Sequence, residues 1–346
     1  MEFMYALIGG LIVGVLFGFV LQRGRFCMNS AFRDIILLKE FKLAKAVVIA
    51  LITLMIGFAI FAFAGVIQLA PKPLKIWGAV VGGLVFGIGM VLAAGCASGT
   101  TYRVGEGMVG SLVAGFGLTL GALMTGFGVL SDAKVFLQKT VIGEGPALTL
   151  FGEFGALTPI FMLILGIVGA VLTFYFWGLP VLKKKMEAKE PLVKFDNAVE
   201  SIFKKAYPWW VTGIVIGIIG TVAYIVSNGV LGITGGWMDL SLWLTTGDVV
   251  AWAGFIILGA IIGSFISAYI GGEFKIRVPK DGLTLLKQLI GGILMGFGAV
   301  TAMGCNITNI LGGVPQLSLH SIITGACIMF GSWIMAYLLF MRGDKE

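Results

Sequence analysis

Three of the four cysteines sit where an apolar run is interrupted by polar residues and glycines: Arg25-Phe26-Cys27-Met28-Asn29, Gly95-Cys96-Ala97-Ser98-Gly99-Thr100 and Gly304-Cys305-Asn306. A thiol is a weak hydrogen-bond donor carried on a soft sulfur, and its thiolate can exchange with other sulfur compounds. Three thiols along one path therefore suit a small substrate that itself carries soft sulfur. Ser98, Thr100, Thr101, Asn306, Thr308 and Asn309 add neutral polar groups beside them. A helix that restarts after a break also offers free amide N–H groups and a positive dipole end, which favours an anion. A fourth interrupted segment, Gly232–Asp239, contributes Gly235, Gly236 and Trp237 but no cysteine. Cys327, among Ala, Ile, Met and Phe in mid-run, reads as an ordinary packing residue.

Arg103 and Glu106 are the most unusual charges, because ionisable groups at membrane depth are functional or paired. They are candidates for gating, or for a structural clamp with each other at i,i+3 spacing. Arg23, Arg25, Arg33 and Asp34, with Glu273, Lys275 and Arg277, read as interfacial charges whose long side chains reach out of the bilayer. His320 is expected at the interface, and Trp209-Trp210 after Pro208 as an interfacial anchor. No GxxxxGK[ST], HExxH or CxxC occurs. No residue is therefore assigned as catalytic or as a metal ligand, and no cofactor is expected.

The elements that must position these residues follow from composition. Of 346 residues, 58% are hydrophobic and 12% charged, against about a quarter charged in soluble domains. A globular enzyme and a disordered chain are both excluded. Each membrane span needs about 20 mostly apolar residues. The apolar runs, at about 4–22, 44–68, 77–95, 108–130, 157–180, 209–227, 250–271, 285–304 and 319–341, predict an all-α polytopic membrane protein with about nine spans. The first run has no cleavage signal and is retained as a span. Placing the Lys-rich segment 181–206 in the cytoplasm puts 20 of the 24 Lys and Arg on that side. Only Lys72, Lys75, Lys134 and Lys139 fall outside. By the positive-inside bias the N-terminus is then outside and the C-terminus cytoplasmic, and the net charge of +7 reports topology rather than a nucleic-acid partner.

The run Gly82-Gly83-Leu84-Val85-Phe86-Gly87-Ile88-Gly89, ending in Gly95-Cys96, recurs 209 residues later. There it reads Gly291-Gly292-Ile293-Leu294-Met295-Gly296-Phe297-Gly298 and ends in Gly304-Cys305. Upstream, Arg25–Asn29 falls about where Gly235–Asp239 lies in the second copy. The two copies run in opposite directions through the bilayer, so the repeat is inverted. Transporters commonly use that symmetry, with a midplane site on discontinuous helices. The chain divides into a first half, 1–180 (repeat one and a fifth span), the linker 181–206, and a second half, 207–346.

Four segments in this order, Arg23–Asp34, Gly95–Gly107, Gly232–Trp237 and Gly304–Asn309, resemble the YeeE/YedE family of sulfur-transport membrane proteins, and within it the YeeE-type thiosulfate transporters. Gly272-Glu273-Phe274-Lys275 and Gly313-Val314-Pro315-Gln316 extend the likeness over nearly the whole chain. The resemblance implies short half-helices beside the nine spans and uptake of thiosulfate across the plasma (inner) membrane. It also implies that Cys27, Cys96 and Cys305 pass the anion inward by S–H hydrogen bonds. A separate cytosolic TusA-like sulfur carrier is the implied partner. Gly95, Ser98, Gly99, Thr100, Gly304, Asn306, Gly235, Gly236 and Trp237 are expected to contact substrate with the three thiols. The residues alone leave open another sulfur or selenium species, a membrane sulfurtransferase that forms a cysteine persulfide, and a passive pore.

Overall fold

A computed structural model of the chain describes residues 2–139, 148–149, 152–153, 155, 157–180, 182, 203–227, 229–247 and 250–342. Most of the linker 181–206 lies outside the described residues. Eight long helices are joined by short ones: α1 (Glu2–Arg23), α2 (Met28–Leu37), α3 (Lys42–Phe63), α4 (Ile76–Leu92), α5 (Ala97–Gly105), α6 (Val109–Gly126) and α7 (Ser131–Gln138) form the first set. After α8 (Thr158–Thr173), a ninth long helix that continues through the π-helical turn Phe174–Gly178, the second set follows. It comprises α9 (Trp209–Ser227), α10 (Ile233–Thr246), α11 (Trp252–Ile270), α12 (Gly282–Thr301), the π-helical turn Ile307–Gly313 and α13 (Leu319–Ala336). Nine of the described segments are long and apolar enough to cross a bilayer, each matching one of the predicted runs. A two-residue ladder pairs Leu148 with Glu153 and Thr149 with Gly152.

Each set has the same plan: long helix, break, short helix, two long helices, break, short helix, long helix. Packing obeys the repeat. The first long helix of one set lies on the second of the other, α1 on α11 and α9 on α3, and the third lies on the fourth, α4 on α13 and α12 on α6. Centrally α4 crosses its own copy α12. Gly82 abuts Ala302 and Gly298, whereas their repeat equivalents close the same contact in reverse, Gly291 against Ala93 and Gly89. A residue meeting its partner's equivalent both ways is the mark of a two-fold axis. Because the first contact runs up one helix and down the other, α4 and α12 are antiparallel and the axis is perpendicular to them. The repeat is therefore inverted. Backbones approach this closely because a Cβ at Gly82 would stand 2.7 Å from the Ala302 amide nitrogen, the packing that small residues permit in bilayers.

Helix α8 stands outside this symmetry. It packs on α3, with Gly166 against Ile56, and turns Ile164, Ile167, Val168 and Val171 outward. At its end Trp177 meets Trp209 edge-on at 6.2 Å, and the Lys45 ammonium lies 5.3 and 5.8 Å from the two rings. Together the two rings and the ammonium form an aromatic–cation cluster that ties α8 to α3 and α9.

Candidate functional site

The three cysteine breaks are built by one backbone device. Arg25, Ala94 and Met303 have φ of 48°, 54° and 56°, the left-handed conformation, each two residues before a cysteine. A left-handed residue ends a helix and turns the chain. Glycine is the usual occupant, and the three non-glycine residues hold about 1 kcal/mol or more of strain each. Ala94 and Met303 are equivalents 209 residues apart. The chain then restarts as a short helix, with the cysteine at the cap position: Cys27 before α2, Cys96 before α5, and Cys305 just before Asn306 and the π-helical turn. Gly232 takes that position before α10. The equivalent of Cys27 is therefore Gly232, four residues earlier than the Gly236 that the uniform 209-residue offset gives, because α10, at 14 residues, is four longer than α2, at 10.

The four breaks close into a ring. Cys27 Sγ and Cys96 Sγ are 3.7 Å apart. Trp237 Nε1 on α10 donates to Thr101 Oγ1 on α5 at 3.0 Å. Thr308 Oγ1 donates to the Leu231 carbonyl at 3.2 Å, and Asn306 Nδ2 reaches Met28 Sδ at 3.0 Å. Cys27, Cys96 and Cys305 are buried, and all four thiols are unbridged. Cys96 Sγ accepts from the Gly99 amide at 3.3 Å and meets Ser98 Oγ at 3.4 Å. Gly99 is needed there: a Cβ on it would lie 2.7 Å from Cys27 Sγ and 3.2 Å from Cys96 Sγ. Cys305 Sγ is 3.6 Å from Thr308 Oγ1.

The ring gathers most of the residues expected at the site. Gly95 faces Thr100, and Gly304, at φ 147°, faces Thr308 and Lys72. Trp237 covers Gly115 on α6 as well as bonding Thr101, so it ties α10 to α5 and α6. Gly236 packs on Ala253, and Gly235 borders open space. Cys327 stands apart, its Cβ against Gly83 in the α4–α13 contact.

Since α1 and α4 run opposite to α9 and α12, the Cys27 and Cys96 breaks enter from one face and the Gly232 and Cys305 breaks from the other. On the Cys27 face the charges pair with one another. Arg23 is buried, donating to Gln22, Ser267 and Glu273 at 2.8, 2.8 and 3.0 Å. Arg25 bridges Glu106 and Glu273, both at 2.8 Å. The burial of Arg23 corrects the reading of it as a side chain reaching out to the interface. Arg103 and Glu106 do not form the clamp with each other: Arg103 donates to the Ala94 carbonyl at the break, while Glu106 also accepts from Gln22 at 3.1 Å. A charge buried at the membrane is tolerable only when matched this way.

On the Cys305 face lies a residue that sequence reasoning counted only as a topological exception. Lys72 Nζ donates to Asn309 Oδ1 at 2.9 Å and sits against Gly304. Burial pulls its ammonium down to about 7, against an opposing pull from nearby Cys305. Its signal in the sequence is Pro71-Lys72-Pro73, a cation held between two prolines before the repeat. His320 is buried rather than interfacial. Its Nδ1 accepts from the Lys75 amide at 3.4 Å and its Nε2 lies 3.0 Å from the Ala302 carbonyl, bracing the break.

What this arrangement can do is offer a buried, mostly neutral ring of thiols, hydroxyls and amides with cations at both faces. The chain matches the model for sulphur transport over residues 23–334. It is 39% identical over 351 residues to the thiosulfate transporter TsuA of Spirochaeta thermophila, a match covering 96% of this chain and 99% of that protein. It is 32% identical to the thiosulfate transporter TsuA of Escherichia coli, over 98% of this chain and 96% of that one. A shorter likeness, 40% over 83 residues, joins 24% of the chain to 21% of the probable transporter YedE of Escherichia coli. With nine helices among the described residues long and apolar enough to cross a membrane, and a family match running from Arg23 past the last break, the chain belongs to the sulphur-transport family of membrane proteins.

Proposed function

We propose that this protein carries thiosulfate across the plasma membrane into the cytoplasm, unchanged, by hydrogen bonds passed between the thiols of Cys305, Cys27 and Cys96. The observation that carries the reading is their placement: all three cap short helices in one ring of breaks, with two sulfurs in direct contact across 3.7 Å. Thiosulfate has a terminal sulfur that accepts from S–H and oxygens that accept from amides and hydroxyls. Sulfate has only hard oxygens, which recruit arginine or fixed amides and gain little from thiols. The names of the full-length relatives support the same substrate.

In this reading the Lys72–Cys305 face is outside, as is the N-terminus, and the C-terminus is cytoplasmic. The anion is drawn to Lys72, meets Cys305, crosses the ring to the Cys27–Cys96 pair, and leaves past Arg25, Glu106 and Glu273. The halves 1–180 and 207–346 form the path, with 181–206 a cytoplasmic linker. A separate TusA-like carrier receives the sulfur anion there.

The test is uptake of labelled thiosulfate and sulfate by liposomes bearing only this protein. Thiosulfate is expected to enter in preference. Cys96→Ala and Cys305→Ala abolish uptake, Cys27→Ala reduces or abolishes it, and Cys327→Ala leaves it unchanged. Wild-type uptake by the Cys96→Ala, Cys305→Ala double variant sinks the thiol path. An adduct of about 32 Da, one sulfur atom, trapped on a ring cysteine during turnover replaces hydrogen bonding with persulfide transfer.

A further inference from the structure

Nine buried side-chain atoms among the described residues have no hydrogen-bond partner. Five of them belong to the first turns after the four breaks: Asn29 Nδ2 and Oδ1, Thr100 Oγ1, Thr234 Oγ1 and Asn306 Oδ1. The others, on Trp252, Gln288, Thr301 and Ser332, lie on long helices. Asn29 and Thr100 are each 1% exposed and Thr234 is 4%, so solvent does not satisfy them. Leaving such groups unpaired costs free energy that native proteins rarely tolerate away from functional sites. Their positions are regular. Asn29 is the second residue after Cys27, and Thr234 the second after Gly232, its repeat equivalent. Thr100 adjoins Gly99, against which the two sulfurs close, and its hydroxyl faces Gly95 across the break.

From this we infer that Asn29, Thr100 and Thr234 hold the oxygen atoms of the transported anion while the thiols hold its sulfur, Asn29 being the selective residue. The inference rests on the thiosulfate reading above and adds to it the half of the substrate that thiols cannot recognise. Short helices α2, α5 and α10 start at the ring, where first-turn N–H groups beyond the Gly99 amide held by Cys96 Sγ have no partner within their own helix. All three side chains are neutral. They bind an oxyanion without the deep well that a buried arginine would make, which lets the anion move on. The Asn29 amide is the richest of them, with two N–H donors and an oxygen left to accept from S–H or an accompanying water.

The test compares Asn29→Leu, Asn29→Ala, Asn29→Ser and Thr234→Val with wild type in the same liposomes, and measures melting with and without sodium thiosulfate. Asn29→Leu and Thr234→Val keep the side-chain volume and remove only an unpartnered polar group, so their melting temperatures without thiosulfate stay at or above wild type, whereas Asn29→Ala and Asn29→Ser leave a small cavity. Thiosulfate uptake at low concentration falls about tenfold to a hundredfold in Asn29→Leu and Asn29→Ala, the worth of one hydrogen bond to a charged acceptor. Their thiosulfate-induced rise in melting temperature shrinks in step. Asn29→Ser, which keeps a donor, recovers part of both, and Thr234→Val loses part. Wild-type uptake in both Asn29→Leu and Asn29→Ala overturns the inference. So does a lowered melting temperature in both without thiosulfate, which marks Asn29 as a structural residue. If wild type itself takes up no thiosulfate, the substrate reading fails first; if it does and the variants match it, only the role of Asn29 fails.

Discussion

Replacing Gly99 by alanine tests the contact on which the thiol path depends. Gly99 occupies the first turn of α5, and in an unconstrained helix glycine to alanine stabilises by about 0.5–1 kcal/mol. Here the new methyl carbon lands 2.7 Å from Cys27 Sγ and 3.2 Å from Cys96 Sγ. Comfortable carbon contacts begin at about 3.5 Å, so the Cys27 sulfur must move by nearly an ångström. Cys27 is 1% exposed and Cys96 fully buried, so neither can move out into solvent. Overpacking of this kind costs about 1–3 kcal/mol. Set against the helix gain, the net loss is about 0.5–2 kcal/mol, with thiosulfate uptake reduced at least tenfold. A second variant isolates the cause. In a Cys27→Ala background the obstructing sulfur is gone, and Gly99→Ala then costs about 1 kcal/mol less, a coupling typical of residues in contact. Thermal or denaturant unfolding of the four proteins of the cycle, with liposome uptake, gives both numbers. A Gly99→Ala protein that transports normally, or a coupling of zero, refutes the claim that this glycine exists to let the two sulfurs meet.

Because burial holds the Lys72 ammonium near 7, its charge is present below that pH and lost above it. The apparent affinity for thiosulfate therefore weakens by up to about tenfold as external pH rises from about 6 to about 8, tracking the charged fraction. Lys72→Arg flattens the profile, and equal slopes in both proteins refute the assignment. Ala94→Gly relieves a left-handed alanine whose methyl is exposed and raises stability by about 0.5–1 kcal/mol, the strain less the added chain entropy; an unchanged or lowered melting temperature shows no strain was held there. Cysteines introduced at Asp132 and Lys280 for membrane-impermeant labelling in intact cells react at position 132, and at position 280 only after permeabilisation. The reverse pattern inverts the orientation of the path.

Hydropathy reports how much each segment gains by leaving water for lipid, a property of the segment by itself. The nine spans were therefore legible from sequence, as were the Gly82–Cys96 and Gly291–Cys305 copies and the polar interruptions that became short helices. Partnership is not a property of a segment. Arg23 looks identical in sequence whether it reaches for lipid headgroups or lies buried against Glu273 and Ser267, and only the packing of α1 on α11 chose the second. The same holds for Glu106, three residues from Arg103 but paired with Arg25 from the break after α1. The repeat's register was half legible, because the glycines of α4 and α12 are needed at the two-fold contact itself and keep their spacing. Helix α10 lies away from that contact and is four residues longer than α2, so only the fold equates Cys27 with Gly232. Three left-handed residues with different side chains, Arg25, Ala94 and Met303, leave no common mark in sequence. Surrounding helices hold them in that conformation, and it is they that turn three distant cysteines into one buried ring.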